Sequence, residues 1–319
     1  MMKSNKCLYC YNELDENDGM FHQACCKKIF GKPEPPELPY TEKELMELGL
    51  LVVQSQSAVT GAQPKLSLDI MKGNGTGTPM RLTIVGVHGK YILKPQHHIY
   101  PQLPENEDVT MRMAKAAGID VPLHGMIWSK DKSLTYFIKR FDRVGHKDKI
   151  QVEDFAQLAG LSRDTKYNYS MEKLIGLIDE YCTFPVIEKA KLFKLVLFDF
   201  LAGNEDMHLK NYSVIRRNDK IELSPAYDLL NSTIVLKGDV EEIALSLAGK
   251  KKKITREALV DYFGKERCGL TEKVIENIIE DFVYAKKVWF TLLDICFLSN
   301  ELKEKFTVLL KKRLKILGL

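Results

Sequence analysis

The sequence predicts an α+β protein with two lobes, in which a small antiparallel β lobe precedes a larger, mainly helical lobe. Short apolar segments of strand length alternate with turn residues up to about residue 143. From residue 153 onward, apolar residues recur at helical spacing over longer segments. A run rich in proline before residue 40 reads as a stiff linker. The predicted boundaries are an appendage at 1–32, the linker at 33–40, the β lobe at 41–143 and the helical lobe at 144–319.

Composition and charge are those of an ordinary globular protein. Of the 319 residues, 45% are hydrophobic and 28% charged, and the net charge is +4. This mild positive charge does not identify a nucleic-acid binder. We find neither the pattern of a secretory signal nor a membrane span, so we expect a cytoplasmic protein without membrane contact. In that compartment the seven cysteines are expected as thiols or metal ligands rather than disulfides.

The appendage contains a cluster of residues that could bind a metal. Cys7 and Cys10 are separated by two residues, and so are His22 and Cys25. Three thiolates and one imidazole can close a tetrahedral zinc site, although these spacings are not those of a standard zinc finger. The alternative is a small cysteine-bearing helix that packs on the body of the protein, because free cysteine is often buried.

The β lobe is predicted to start with a short helix that begins at Thr41 and stops near Gly49. A strand at Leu50–Val53 should follow, and then a small, polar loop from Ser55 to Gln63 whose amides and hydroxyls could cover phosphates. An ordinary hairpin loop is the alternative. The next strands are predicted to form an antiparallel meander: Lys65–Ile70, a turn at Gly73–Gly77, Arg81–Val85 and Tyr91–Leu93.

Lys94 ends a predicted strand and is stopped by Pro95. In protein kinases a lysine at this place pairs with the nucleotide phosphates and with a helix glutamate. Glu107, at the start of a predicted helix Asp108–Ala117, is the candidate partner. The alternative is a solvated strand end. Further on, Leu134–Arg143 is predicted as a strand that leads into a connector, where backbone groups near Ile138–Phe141 could bind an adenine edge.

The helical lobe contains five predicted helices, which are Glu153–Ala159, Met171–Glu180, Val186–Leu201, Glu272–Leu298 and Lys303–Leu317. Two basic features accompany them: the run Lys250–Lys253, and a face made of Lys311, Lys312, Arg313 and Lys315. Basic runs are more often solvated faces than nucleic-acid sites, so we predict no direct, specific nucleic-acid binding.

The most informative stretch follows the helix Val186–Leu201. Gly203 can end that helix at positive φ, which places the next polar residues in a loop. Asp206 and Asn211 lie in this loop, and Asp228 follows a predicted hairpin that returns the chain toward Asn211.

These three side chains match the needs of phosphoryl transfer. Kinases use an aspartate that accepts the substrate hydroxyl proton, an asparagine a few residues later, and a second aspartate beyond, and the last two hold Mg²⁺. Asp206, Asn211 and Asp228 have that order and spacing, and Lys210 could steady the transferring phosphoryl charge. An Asx-rich surface loop is the alternative, since Asn and Asp are common turn residues.

Taken together, the motifs resemble those of the HipA family of bacterial toxin kinases. The resemblance covers the chain from about Ser57 to the C-terminal helices and rests on these segments: Thr60–Lys65, Tyr91–Pro95, Lys139–Arg143, Glu153–Asp154, Asp206–Asn211 and Tyr227–Asp228. It implies a bilobal protein-kinase-like fold and serine/threonine kinase activity.

The resemblance also implies roles for individual residues. Asp206 is the expected catalytic base, assisted by Lys210, and Asn211 and Asp228 hold magnesium. The expected ATP-binding residues are Lys94, Ser57, Thr60, Gly61, Ala62, Gln63, Glu107, Lys139, Phe141, His208, Asn211 and Asp228.

Long HipA proteins have an additional N-terminal subdomain before the phosphate loop, whereas here the loop begins near Ser55. In this respect the chain resembles the shorter HipT type of HipBST systems. This type implies a HipS-like antitoxin and a HipB-like DNA-binding protein as partners. It also implies an aminoacyl-tRNA synthetase, tryptophanyl-tRNA synthetase in particular, as the substrate whose phosphorylation arrests translation. Ser55 and Ser57 resemble serines that HipT-type kinases phosphorylate on themselves, which would add negative charge where ATP phosphates should lie.

Two other functions compete with a protein kinase. One is a catalytically silent scaffold or co-regulator that works with a DNA-binding partner. A silent scaffold would not need the complete set of Lys94, Asp206, Asn211 and Asp228, which argues against this function. The other is a kinase for a lipid or small molecule, which would use the same phosphate-binding and metal-binding groups. Transfer of label from ATP into a cell lysate separates the three functions.

Overall fold

The computed structural model describes residues 5–16, 18–55, 64–72, 78–86, 88–145, 148–162, 165–236 and 241–319. Its contacts divide the chain into two compact units. Unit 1 comprises Met1–Asp108, Pro122–Phe141 and Ile295–Phe297, and unit 2 comprises Val109–Val121, Asp142–Asp294 and Leu298–Leu319. The appendage and most of the predicted β lobe therefore lie in unit 1, whereas residues 109–121 of that lobe belong to unit 2.

Unit 1 is built on a five-stranded antiparallel sheet. Its strands are β1 (Leu66–Met71), β2 (Arg81–Ile84), β3 (Tyr91–Lys94), β4 (His124–Trp128) and β5 (Leu134–Lys139). Their order in the sheet is β2-β1-β3-β5-β4. The predicted meander is therefore wrong in connectivity, because β3 pairs with β1 through Leu66 and Leu93 instead of with β2. The predicted turn at 73–77 lies outside the described residues.

Two helices of unit 1 precede the sheet: α1 (Gln23–Phe30) and α2 (Glu42–Ser55). The predicted helix stop at Gly49 and the predicted strand at Leu50–Val53 are both wrong, because α2 continues through them. Gly49 serves close packing rather than helix termination. A Cβ added there would lie 2.3 Å from the Cβ of Pro64.

The next helix, α3 (Leu103–Ala116), begins earlier than the predicted Asp108. Glu107 therefore lies within the helix instead of preceding it. The first six residues of α3 belong to unit 1, and the rest belong to unit 2.

The N-terminal residues pack directly on the sheet. The Leu8 carbonyl accepts a hydrogen bond from the Met126 amide of β4 at 3.2 Å. The ring of Phe30, at the end of α1, lies 5.3 Å from that of Phe137 in β5. In the linker, Glu37 exchanges backbone hydrogen bonds with residues of and next to β2, including one of 2.8 Å from the Leu82 amide.

Unit 2 contains five short strands and most of the helices. The strands are β6 (Arg143–Val144), β7 (Asp148–Lys149), β8 (Val152–Asp154), β9 (Ser213–Arg217) and β10 (Lys220–Leu223). Among the described residues, the complete helices are α4 (Phe155–Leu158), α5 (Met171–Tyr181), α6 (Pro185–Ala202), a 3₁₀ helix (Leu209–Asn211), a π-helix (Glu257–Arg267) and α8 (Asn300–Leu317). Helix α7 (Glu272–Ile295) lies in this unit up to Asp294. Strands β8, β9 and β10 form an antiparallel sheet in the order β10-β9-β8.

Two expectations about unit 2 need correction, and one helix was not foreseen. The predicted helix Glu153–Ala159 is instead strand β8 followed by the short α4, because Asp154 caps α4 and its carboxylate accepts the Gln157 amide. Arg313 does not belong to a solvated basic face. It is buried and donates to the Phe200 carbonyl at 3.2 Å. The π-helix was not predicted.

The core of unit 2 surrounds α6 and α7. The ring of Phe198 lies 5.9 Å from that of Trp289, and the Trp289 indole donates to the Met113 carbonyl at 2.7 Å. Within the parts of the chain that the structure describes, no helix has the length and apolar character needed to cross a bilayer.

Candidate active site

The candidate catalytic loop begins where α6 ends. Gly203 closes the helix with φ 74°, and its amide bonds the Asp199 and Phe200 carbonyls. A Cβ on Gly203 would lie 2.5 Å from Cδ2 of Leu309 and 2.8 Å from Oδ1 of Asn231. The position therefore requires glycine both for its left-handed backbone and for close packing.

The loop is anchored from within the core of unit 2. The Asn204 side-chain amide donates to Oδ1 of Asp199 at 2.9 Å. Burial raises the pKa of the Asp199 carboxyl group well above its usual value. Next along the chain, the Glu205 amide donates to the Ser232 hydroxyl at 2.7 Å. These bonds fix the backbone immediately before Asp206.

Hydrogen bonds also join Asp206 to Asn211. The Asp206 carbonyl accepts from the Asn211 side-chain amide at 3.0 Å and from the His208 backbone amide at 2.7 Å. Because Nδ2 of Asn211 is the donor in this contact, its Oδ1 is left as the acceptor end of the side chain.

The β9–β10 hairpin returns Asp228 to this loop. The two strands pair from Val214 with Leu223 to Arg217 with Lys220. The Tyr227 hydroxyl donates to the Lys210 carbonyl at 3.1 Å and also contacts the Ser213 hydroxyl. Asp228 itself has φ 58°, a left-handed conformation that is uncommon outside glycine and is enriched in Asn and Asp.

His208 lies within the electrostatic influence of both aspartates. Burial lowers its pKa to about 4, while the charges of Asp206 and Asp228 act in the opposite direction. The imidazole is therefore neutral at pH 7. Asp206, Asn211 and Asp228, predicted to act together, thus lie on one loop and the adjoining hairpin.

Tyr167 is a site residue that the sequence did not reveal. Its hydroxyl donates to Oδ1 of Asp206, and its ring lies 5.1 Å from that of His208 in an edge-to-face contact. The ammonium groups of Lys166 and Lys251 lie 4.9 Å and 6.0 Å from the ring centroid. Tyr167 lies far from Asp206 in the chain and in no periodic segment, so no sequence pattern could have connected the two.

Lys210 lies beside the loop in an ion pair. Its ammonium is 3.1 Å from Oδ2 of Asp154, the residue that caps α4, and the lysine side chain is 36% exposed. A phosphoryl group that approached Lys210 would therefore compete with Asp154 for the ammonium.

In unit 1, Lys94 and Glu107 form a buried ion pair. The two groups are in direct contact, and their side chains are 3% and 1% exposed. The ammonium also lies 5.6 Å from the ring centroid of Tyr136. Lys94 is thus not the solvated strand end of the alternative interpretation, because a buried lysine needs a partner charge.

Of the remaining predicted nucleotide-binding residues, some lie outside the described residues and others lie at the end of β5. Ser57 and the loop residues Thr60, Gly61, Ala62 and Gln63 lie outside the described residues, as does the side chain of Ser55. At the end of β5, the Lys139 amide donates to the Leu123 carbonyl at 2.7 Å, and the Arg140 amide donates to the Lys90 carbonyl at 2.8 Å. These two amides already have protein acceptors.

Comparisons with known proteins agree with this architecture. Residues 57–289 match the family model described as HipA-like C-terminal domain. A putative kinase of Haemophilus influenzae is 31% identical over 211 residues, which are 61% of this chain and 58% of the relative. The putative kinase Y4dM of Sinorhizobium fredii is 30% identical over 73% of this chain and 59% of its own length.

The serine/threonine-protein kinase toxin HipA of Shewanella oneidensis is 29% identical over 54% of this chain and 43% of the relative. The chain thus spans less than three fifths of the length of the curated relatives it matches.

Two solved structures show the same kinase-like fold. One is the Shewanella oneidensis complex of HipA, HipB and operator DNA, with a TM-score of 0.66 and 22% identity over 90% of this chain and 73% of the matched chain. The other is the proinflammatory kinase CtkA of Helicobacter pylori, with a TM-score of 0.53 and 16% identity over 78% of this chain and 92% of that one. The chain thus has the kinase-like fold of mixed helix and sheet that the sequence predicted.

Proposed function

The chain belongs to the HipA-like C-terminal domain family, and from that premise we propose that it is an ATP- and Mg²⁺-dependent serine/threonine kinase. The observation that carries the proposal is the assembly of Asp206, Asn211 and the Tyr227–Asp228 segment through hydrogen bonds of the loop and hairpin. A surface loop of solvated Asn and Asp residues would not need a buried asparagine and a half-buried tyrosine to hold it together.

In this mechanism Asp206 is the general base. The substrate hydroxyl replaces the Tyr167 hydroxyl at Oδ1 of Asp206 and gives its proton to the carboxylate as its oxygen attacks the γ-phosphorus. The bond between the γ-phosphorus and the bridging oxygen breaks, and ADP leaves. Lys210 moves from Asp154 toward the charge that develops on the phosphoryl oxygens.

The side chains of the loop fit a magnesium ion. Mg²⁺ prefers oxygen ligands, and the hydrogen bond from Nδ2 of Asn211 to the Asp206 carbonyl leaves Oδ1 as the ligand atom. Asp228 supplies a carboxylate. When bound, the ion neutralises charge on the phosphates. The chain's own contribution is to hold Asn211 and Asp228 by the bonds described above.

For the nucleotide, we propose that Lys94 contacts the ATP phosphates and that Glu107 orients it through their buried ion pair. Ser57, Thr60, Gly61, Ala62 and Gln63 are proposed to cover the phosphates, and Lys139, Phe141 and His208 to line the nucleotide site. Because the amides of Lys139 and Arg140 are engaged within the protein, the contribution of this segment must come from its other groups.

We propose further that the kinase is the toxin of a toxin–antitoxin system. The names of two relatives support this: a serine/threonine-protein kinase toxin HipA, and a complex of HipA with HipB and operator DNA. Ser55 and Ser57, which resemble the self-phosphorylated serines of HipT-type kinases, favour the HipT type, with a HipS-like antitoxin and a HipB-like partner. The proposed substrate is an aminoacyl-tRNA synthetase, tryptophanyl-tRNA synthetase first.

The test is transfer of label from [γ-³²P]ATP with Mg²⁺ into a host cell lysate. We expect a labelled protein band with the wild type and a loss of about 10²–10⁴-fold in initial rate for Asp206→Asn, because the base is removed. The control is Asp219→Asn, which changes an exposed carboxylate at the turn of the same hairpin. A rate for Asp206→Asn close to that of the control would contradict the mechanism, and label only in small molecules would contradict the proposed substrate class.

A further inference from the structure

Three cysteines and one histidine of the appendage converge on one point. The sulfur atoms of Cys7, Cys10 and Cys25 and a ring nitrogen of His22 all lie within 4.8 Å of one another. Nδ1 of His22 is 3.3 Å from the sulfur of Cys10 and 3.9 Å from that of Cys25. Tetrahedral zinc, with bonds of about 2.3 Å to sulfur and 2.0–2.1 Å to nitrogen, places a sulfur and a nitrogen ligand about 3.6 Å apart. The observed separations lie on either side of that value.

The histidine is held in the tautomer that a metal requires. Nε2 of His22 donates to the Glu13 carbonyl at 2.9 Å, which leaves the lone pair of Nδ1 directed at the sulfurs. Thiols are only weak hydrogen-bond donors and acceptors, so hydrogen bonds would hold four such groups this close together only weakly. A cation does account for it, since it binds all four groups at once.

The turn that contains Cys7 and Cys10 ends at Tyr11. The Tyr11 amide donates to the Cys7 carbonyl at 3.0 Å, and Tyr11 has φ 65°, a conformation that costs a non-glycine residue energy. Tyr11 is nevertheless held there by its side chain, which is buried against Phe297 with ring centroids 5.2 Å apart.

The same tyrosine connects the cluster to the Lys94–Glu107 ion pair. The Tyr11 hydroxyl donates to Oδ2 of Asp108 at 2.5 Å, and Oδ1 of Asp108 lies 3.0 Å from Nδ1 of His124 in β4. Asp108 is the neighbour of Glu107 in α3. Tyr11 and His124 therefore fix the segment of helix from which Glu107 reaches Lys94.

We propose that Cys7, Cys10, His22 and Cys25 bind a structural zinc ion, and that the zinc-bound turn acts through Tyr11 and Asp108 to position Glu107 against Lys94. Tyr11 is a positioning residue, because it is proposed to act on Glu107 through Asp108. Only the importance of the pair for nucleotide binding rests on the proposed kinase function. The metal site and its effect on α3 can be measured without any catalysis.

The first experiment measures metal in the full-length chain, purified without chelators, by inductively coupled plasma mass spectrometry. We expect about one zinc per chain in the wild type, little in Cys10→Ala, and the wild-type amount in Cys26→Ala. Cys26 is a matched control, because it adjoins Cys25 in α1 but lies outside the cluster. Absence of zinc from the wild type, iron in its place, a disulfide among the four residues, or equal zinc in both variants would overturn the site.

If Cys10→Ala does not fold, the wild type alone decides the question. Titration of its thiols with a mercurial should release about one zinc per chain to a coloured chelator, and the absence of such a release would overturn the site.

The second experiment tests the connection by hydrogen exchange. Zinc removal is expected to increase amide exchange in the Glu105–Asp108 segment of α3. Tyr11→Phe should keep its zinc and show the same increase, because it lacks only the hydroxyl that reaches Asp108. Unchanged exchange in both would overturn the positioning role and leave the metal site standing. A preparation with normal zinc content and normal amide exchange in α3 but no kinase activity would contradict only the proposed kinase function.

Discussion

Individual residues decide how readily the proposed base can act. Asp206 carries the hydrogen bond from the Tyr167 hydroxyl at the oxygen that a substrate hydroxyl would use. In the proposed mechanism, the Tyr167 hydroxyl thus occupies the position that the substrate hydroxyl would take.

We therefore predict that Tyr167→Phe raises the rate of phosphoryl transfer by a few fold, because the substrate no longer displaces a hydroxyl from Asp206. The measurement is the initial rate at saturating ATP. The comparison variant is Tyr169→Phe, which changes a nearby tyrosine whose ring lies 5.7 Å from the Lys173 ammonium. A fall in rate specific to Tyr167→Phe would show that the tyrosine supports catalysis instead.

The sequence was informative about residues whose roles depend on order along the chain. Asp206, Asn211 and Asp228 were found because their spacing matches a known chemistry, and Lys94 with Glu107 because a strand end and a helix start were recognisable. Tyr167 and Asp154 reach the same loop through tertiary packing. Such contacts leave no spacing signal.

At the scale of single elements, the end of α6 is the most constrained point near the site. We predict that Gly203→Ala lowers the free energy of unfolding by about 2–4 kcal/mol, because it adds a left-handed backbone penalty to overpacking against Leu309 and Asn231. Urea denaturation measures the change.

Gly176→Ala in α5 is the matched control, since a Cβ there meets no heavy atom within 4 Å. It should be neutral or slightly stabilising. Equal destabilisation by both substitutions would show that Gly203 has no special role.

Helix α3 contains a second ionisable group of interest, Glu105. Burial raises its pKa to about 7, although the Gln96 side-chain amide donates to both carboxylate oxygens. The folded pKa lies above the unfolded value of about 4.3, so the group's contribution to stability is complete below pH 4.3 and is lost as the pH rises through about 7.

Glu105→Gln should therefore stabilise the protein relative to the wild type at pH 8, by up to about 3 kcal/mol, and have little effect at pH 4. Thermal unfolding at the two pH values measures this difference. Glu47→Gln, an exposed glutamate of α2, should show no such pH dependence. A stabilisation by Glu105→Gln that is the same at both pH values would contradict the raised pKa.

The elements that the sequence misassigned have physical causes. Gly49 and the β-branched Val52 and Val53 favoured a strand, but Gly49 is required where α2 approaches Pro64. The β2–β3 connection was expected to join neighbours, because most consecutive strands pair. Instead β1 lies between them, a topology set by long-range pairing that local patterns do not encode.

At the scale of the whole molecule, the proposed function includes self-modification. We predict that purified wild-type protein carries phosphate on Ser55 or Ser57, and that Asp206→Asn carries none when produced in the same host. Mass spectrometry of the peptide spanning both serines measures it. Equal phosphorylation of the two proteins would assign the modification to a host kinase.

The order of a sheet-rich region before a helical one was predictable, because the period of apolar residues changes from two to that of a helix near residue 153. The position of the N-terminal residues on the sheet was not predictable from the sequence. The linker prolines indicated a boundary before the β lobe, whereas the hydrogen bonds and rings of the appendage lie on the sheet of unit 1.

That arrangement has a consequence for association between molecules. The two outermost strands of the five-stranded sheet, β2 and β4, would each offer free backbone groups to a strand of another chain. Glu37 forms backbone hydrogen bonds with the edge strand β2, and Leu8 forms one with the edge strand β4. Removal of the first forty residues would expose the backbone groups of both edge strands. We expect the shortened protein to aggregate by pairing of these strands between molecules.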